Sequence, residues 1–99
     1  MVQHIVLWNF QKQLSVEEKK QAGIKIKELL EGLKDKVPGV IDLRVVINEM
    51  ESSNRDIALI GSFINDEALV NYQTHPEHVN AGKFVRSVTC ERACLDYKG

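Results

Sequence analysis

The chain has 99 residues, enough for one hydrophobic core and not two, since a typical domain runs to about 100–150 residues. Its 43% apolar and 27% charged residues suit a folded globular domain and are too apolar for a disordered one. Thirteen Lys and Arg against 14 Asp and Glu leave a formal charge of −1, and the longest basic run is Lys19-Lys20, so neither nucleic acid nor an anionic lipid surface is expected as a partner.

No apolar stretch approaches the ~20 residues of a membrane span. The opening Met1-Val2-Gln3-His4 has no basic leader or cleavage site, so no signal peptide is expected. Cys90 and Cys94, if they share a strand, lie about 13 Å apart at ~3.3 Å per residue. A disulfide needs Cα atoms within about 7 Å. Free thiols and a cytoplasmic location are the expectation.

The first element is a strand over Val2 to Phe10. Val2, His4, Val6, Trp8 and Phe10 fall on one face; Gln3, Ile5, Leu7 and Asn9 fall on the other. Both faces are substantially apolar, so both should be covered. Ser15 and Glu18 then form an S-x-x-E capping box. Ala22, Ile26, Leu29, Leu33 and Val37 follow at helical spacing, widened by Gly23 and Leu30, and Pro38-Gly39 ends the helix. Val40 to Glu49 alternates as a second strand, with Ile41, Leu43, Val45 and Ile47 against Asp42, Arg44, Val46 and Asn48. The polar Glu51-Ser52-Ser53-Asn54 turn leads to a third strand, Asp56 to Ile64, in which Ile57, Leu59, Gly61 and Phe63 oppose Ala58, Ile60 and Ser62.

Asn65 or Asp66 caps a short helix carrying Ala68, Leu69 and Tyr72. His75-Pro76 breaks it, because a residue before proline avoids the α region. Pro76 opens a new turn, with Val79, Phe84 and Val85 as apolar anchors. Thr89 to Tyr97 is the last strand.

The order β-α-β-β-α-β predicts an α+β, ferredoxin-like protomer: a four-stranded antiparallel sheet with its helices on one face. The other face then presents Ile5, Leu7, Val46, Ala58, Ile60, Ala93 and Leu95, with Arg44 among them. An apolar patch of that extent is unusual on a monomer, and a second copy of the sheet is its natural cover. A homodimer is therefore expected, with the chain itself as partner.

His4, His75 and His78 are the candidate chemical groups. As three imidazoles they could be counted as a zinc set, but the break at Pro76 spoils a clean i, i+3 geometry, and no metal or other cofactor is expected. Acid–base chemistry is the alternative. Tyr72 ends one helix and His78 lies in the first turn after Pro76, where a helix N-terminus disfavours imidazolium and leaves a base able to accept a proton. Adjacent Glu77 would act in the opposite direction. A nearby tyrosine hydroxyl could steady an oxyanion. Spacing alone equally allows these side chains to cap helix ends and fill a semi-polar core. Trp8 and Asp96 have similarly plain roles open to them, in the core and at a strand end. Cys90 and Cys94 lack a pattern marking them as nucleophiles, although Arg92 lies between them. Phosphate-binding glycine loops, paired catalytic carboxylates and Ser-His-Asp patterns are absent.

These residues together resemble a family. Met1 to Phe10, MVQHIVLWNF, resembles the opening of the stress-responsive α/β barrel (Dabb) domain. Tyr72-Gln73-Thr74-His75-Pro76-Glu77-His78 resembles its Y-x-x-H-P-x-H signature, and Leu95-Asp96-Tyr97 its closing hydrophobic-Asp-Tyr. The resemblance spans essentially the whole chain, as a single domain over residues 1–99, and implies a dimeric α+β barrel with a pocket between sheet and helices. By analogy with the plant polyketide-cyclase branch it implies Tyr72 and His78 as the acid–base pair. His4 and His75 match pocket-lining histidines of the family, and Val6, Trp8, Leu59 and Asp96 complete the expected substrate-binding set.

Two departures argue against carrying over the cyclase substrate. Ile57 stands where that branch has a further pocket histidine, and Ala22 and Gly23 stand where it has bulky aromatic residues. The expected function is a small-molecule pocket performing acid–base chemistry on a carbonyl-rich, polyketide-like compound. A non-catalytic ligand-binding or stress-response dimer is the alternative, and a cofactor-free monooxygenase a weaker one.

Overall fold

The alternation of the first nine strand residues survives intact. In the computed structural model, which describes residues Met1–Gly99, β1 spans Val2–Phe10 and buries every second side chain from Val2 to Phe10. After it come α1 (Val16–Glu31), β2 (Val40–Ile47), β3 (Ile57–Phe63), α2 (Asp66–Thr74), α3 (Pro76–Val88) and β4 (Thr89–Lys98). The strands lie in the order β2-β3-β1-β4, and every neighbouring pair is antiparallel. This is the ferredoxin-like arrangement. Its second crossover is built from two helices, α2 and α3, separated at His75-Pro76.

The capping box forms as expected. Glu18 N–H donates to Ser15 Oγ at 3.1 Å, and Ser15 N–H donates to the Glu18 carboxylate at 2.8 Å. The apolar stripe of α1 buries Ala22, Ile26 and Leu30 against the sheet. Glu31 ties its end to β2 by accepting from Val45 N–H at 2.9 Å. The helix itself stops earlier than the spacing predicts. Gly32–Asp35 forms a 3₁₀ turn, and Leu33 and Val37 are buried from that turn and the chain after it. At Gly39 the chain reverses with φ +86°, and an added Cβ would come within 2.6 Å of Ala68 Cβ.

Two apolar assignments change. Ile41 is exposed because the β2–β3 pairing slips between Val40 and Asp42, leaving Ile41 outside the alternation. Val79 is 42% exposed and anchors nothing. Pro76 opens a full 13-residue helix rather than a single turn, and its buried positions are Ala81 and Val85.

One sheet face carries the core, made of Val6, Trp8, Leu43, Val45, Ile57, Leu59 and Phe63 packed under α1, α2 and α3. The opposite face has no helix over it. Its central row sets Ile5 beside Ile60 and Leu95, with Leu7 beside Ala58 and Ala93 one step along. Leu95 is 61% exposed and Val46 43%. No helix is long and apolar enough to cross a membrane.

Candidate functional site

The proline break sets the site. Tyr72 lies in the last turn of α2, and His75 is at once the C-cap of α2 and the N-cap of α3. His75 Nδ1 accepts from Glu77 N–H at 3.1 Å, which satisfies one of the free donors at the start of α3. Pro76 occupies the first position of that helix, where a missing N–H costs nothing. The chain therefore turns while staying close, and the ring of His78 comes to rest 4.4 Å, centre to centre, from that of Tyr72.

His78 Nδ1–H donates to the Gln73 carbonyl at 3.1 Å. In the neutral imidazole this leaves Nε2 with its lone pair free. Burial holds the His78 pKa below its ordinary 6.5, the Gln73 bond acts in the opposite sense, and the charges of His4, Arg86 and Arg92 lower it further. The shift has the sign expected from the helix terminus, but burial is its leading cause. Glu77 turns away, its carboxylate lying 4.0 Å from Lys36 Nζ.

Tyr72 is fully buried, and burial raises its hydroxyl pKa well above the ordinary 10.0. It stays a proton donor at any physiological pH. Its ring packs 5.0 Å from Phe63 and 6.3 Å from His4, and its hydroxyl has no hydrogen-bond partner in the protein. A buried polar group without a partner costs about 1–3 kcal/mol.

His4 reaches the same neighbourhood from β1. It is only 3% exposed, and its Nδ1 donates to the Asp96 carboxylate on β4, the residue directly opposite. That bond fixes the ring and leaves Nε2 as the acceptor nitrogen. Cys94 Sγ lies 3.8 Å from His4 Nδ1 and 3.7 Å from Asp96 Oδ1. The ligand-capable atoms of His4, Cys94 and Asp96 lie within 4.8 Å of one another. His4 Nδ1 and the Asp96 carboxylate are engaged with each other, and burial and the nearby Asp96 charge push the Cys94 thiol up.

A cavity of about 280 Å³ opens between sheet and helices, lined by His4, Val6, Trp8, Leu30, Leu59, His78, Gly82, Val85, Arg86 and Arg92. Of the residues expected there, His4, Val6, Trp8, Leu59 and His78 form its wall. His75 does not, because its ring is turned to the α3 backbone, and the three histidines form no common cluster. Asp96 is held one residue back, behind its bond to His4. Tyr72 adjoins both histidines without lining the cavity.

Sequence reading missed Leu30, Gly82, Val85, Arg86 and Arg92. A helical signal existed for three of these: Gly82, Val85 and Arg86 lie four, seven and eight residues after His78, on one face once α3 is taken as a full helix. Arg92 had a strand signal, since it alternates in phase with Cys94 and Asp96 on β4. The pairing of β1 with β4 sets Asn9 against Cys90 and Leu7 against Ala93, so Glu91 and Arg92 together oppose one residue, Trp8. Glu91 takes up this bulge at φ +52°. Arg92 keeps the phase of Cys94 and Asp96, on the cavity side, and the extra residue instead shifts Thr89 and Cys90, which oppose Phe10 and Asn9.

Comparison with known proteins agrees with this architecture. The model of the stress-responsive A/B barrel (Dabb) domain matches residues 2–99. A dimeric protein of ferredoxin-like fold from Bacteroides fragilis, of unknown function, superposes with a TM-score of 0.93 at 37% identity, over 99% of this chain and 95% of that one. A dimeric ferredoxin-like protein of unknown function from Jannaschia gives 0.80 at 20% identity, over 99% and 98% of the two chains. Hydroxynitrile lyase from Passiflora edulis gives 0.73 at 17% identity, over 97% and 90%, a likeness of fold alone. No curated protein sequence matches the chain. The family match runs over nearly every residue and includes the strand that carries His4 and the break that sets Tyr72 against His78, and the chain belongs to the stress-responsive α/β barrel (Dabb) domain family.

Proposed function

We propose that the chain is a homodimer whose sheet-and-helix cavity takes a small enolisable carbonyl compound, and that His78 is its general base. The observation that carries this reading is a pair: a neutral imidazole with a free Nε2 on the cavity wall, and 4.4 Å from it the ring of a tyrosine whose buried hydroxyl has no protein partner. His78 Nε2 takes the proton from the carbon next to the carbonyl. The electron pair of that C–H bond moves into the enolate, and the Tyr72 hydroxyl donates a hydrogen bond to the enolate oxygen. The reverse transfer from the imidazolium to carbon restores the base. Trp8, Val6, Leu59 and Leu30 supply an apolar bed for the rest of the molecule.

The uncovered sheet face supports the dimer, and the related Bacteroides and Jannaschia proteins are dimeric. Two free thiols accord with a reducing cytoplasm. A second reading, ligand binding without chemistry, draws on the position of Tyr72 outside the cavity lining.

Deuterium uptake separates the two. Incubated in D₂O with phenylacetone, a neutral ketone, the dimer is expected to accelerate exchange beside the carbonyl. His78→Ala should lower that rate by about 10²-fold or more while the dimer stays intact. Equal rates in both proteins would leave His78 a structural residue.

A further inference from the structure

Arg86 and Arg92 are the two cations of the cavity wall, and no Asp or Glu lines it. Neither takes part in an ion pair; the five that exist use His4, Lys27, Lys34, Lys36 and Lys98. Asp96, in phase with Arg92 on β4, is engaged by His4. Two local features aim the guanidiniums. A Cβ at Gly82 would lie 3.1 Å from Arg86 Nη1, so the absence of a side chain there gives that guanidinium its place against α3. Arg92 points inward in phase with Cys94 and Asp96, and the bulge at Glu91, at φ +52°, lies directly beside it. A non-glycine residue in the left-handed region carries a backbone cost, and such positions gather at ligand sites.

From this arrangement, and resting on the carbonyl-compound reading above, we infer that the ligand is a small organic acid whose carboxylate is held by Arg86 and Arg92 while its apolar body lies on Trp8, Leu30, Leu59 and Val85. Guanidinium groups suit this task because their planar N–H donors match a carboxylate in pairs. The charge argues for an anion, and the apolar wall argues for a carbon skeleton over an inorganic ion. The size argues for a small one, since about 280 Å³ lies at the lower end of ligand-binding cavities. Both arginine charges already bear on His78. A bound carboxylate would offset them and bring the base closer to its ordinary value, which couples ligand binding to the strength of the base.

Calorimetric titration of the intact dimer with phenylacetate and with phenylacetamide tests this. The two probes share ring and shape and differ in charge. Phenylacetate should bind about tenfold tighter or better, and lose that advantage as salt is raised. Arg86→Gln and Arg92→Gln should each weaken phenylacetate about tenfold or more and leave phenylacetamide within about twofold, with Arg92→Lys falling between Gln and wild type. Melting curves establish that each variant is folded, and sedimentation that it is dimeric.

Equal affinity for acid and amide, or an acid affinity untouched by the Gln variants, overturns the carboxylate assignment while leaving the cavity as a neutral-ligand site. Inorganic phosphate binding as tightly as phenylacetate overturns the organic part. Binding of neither aromatic probe overturns both this inference and the reading it rests on. Gln variants that loosen the dimer without changing acid binding would assign the arginines to the subunit contact instead.

Discussion

Tyr72 and His78 lie on opposite sides of the Pro76 helix break with ring centres 4.4 Å apart, and the hydroxyl of the first has no partner in the protein. Because that hydroxyl makes no bond in the folded chain, Tyr72→Phe should leave thermal stability unchanged or raise it, by up to about 1 kcal/mol. The same variant should lose about 10²-fold in exchange rate, as expected for removal of an oxyanion donor. Thermal melts and deuterium uptake check the two halves. A destabilised variant with full activity would assign the hydroxyl to structure.

His75 should behave in the opposite way. Its Nδ1 caps α3 by accepting from Glu77 N–H, and it lies off the cavity wall. His75→Ala is expected to cost about 1 kcal/mol of stability, the scale of a lost helix cap, with exchange changed by no more than a few-fold. A large loss of ligand binding at unchanged stability would return His75 to the pocket.

The depressed pKa of His78 has a consequence for stability. Between its lowered folded value and the ordinary 6.5 of the unfolded chain, the unfolded state binds more protons. The contribution of a neutral His78 is thus fully present above 6.5 and is lost as pH falls through the folded value. Denaturant melts at about pH 8 and about pH 5 should show the stability advantage of wild type over His78→Gln shrinking at the acid end. An advantage that grows on acidification would mean that His78 is stabilised as the imidazolium.

The uncovered sheet face yields a test of assembly. Ile5 sits between Ile60 and Leu95 at its centre, with Arg44 in the same row on the far side of Ile60. Sedimentation at micromolar concentration should find a wild-type dimer, whose sheet-to-sheet contact would bury about 2,000 Å² or more. Ile5→Asp should give monomer or aggregate, because it places an unpaired charge in that contact. A wild-type monomer would contradict the proposed dimer.

Cys90 and Cys94 fall on opposite faces of the sheet, the first beside Asn9 and the second beside Val6. Without reductant, both are expected to react with a thiol reagent after denaturation. A single modified thiol or none would contradict the free state of the pair.

The parts of the fold legible in the sequence were those set by strict periodicity or by one side-chain pattern. The alternation of β1, the Ser15–Glu18 box and the break at Pro76 each have one physical solution, and each forms. The departures come from events that shift phase. Leu33 and Val37 keep helical spacing through a 3₁₀ turn, so the end of α1 is invisible to periodicity. Ile41 leaves its face because the pairing slips beside it. Thr89 and Cys90 leave the alternation of Ala93 and Leu95 because Glu91 adopts a left-handed conformation that residue type does not announce. The histidine and tyrosine of the site could be picked out beforehand because they sit on regular elements or at a proline. The arginine of β4 was equally legible, in the alternation that it shares with Cys94 and Asp96.

The pH dependence of phenylacetone exchange tests the role of His78 most directly. After subtraction of the uncatalysed reaction, the rate is expected to rise with pH to a plateau, with a midpoint below the ordinary 6.5 of histidine, and to be lost in His78→Ala. A midpoint that persists in His78→Ala, or a catalysed rate that does not fall in acid, would contradict that role.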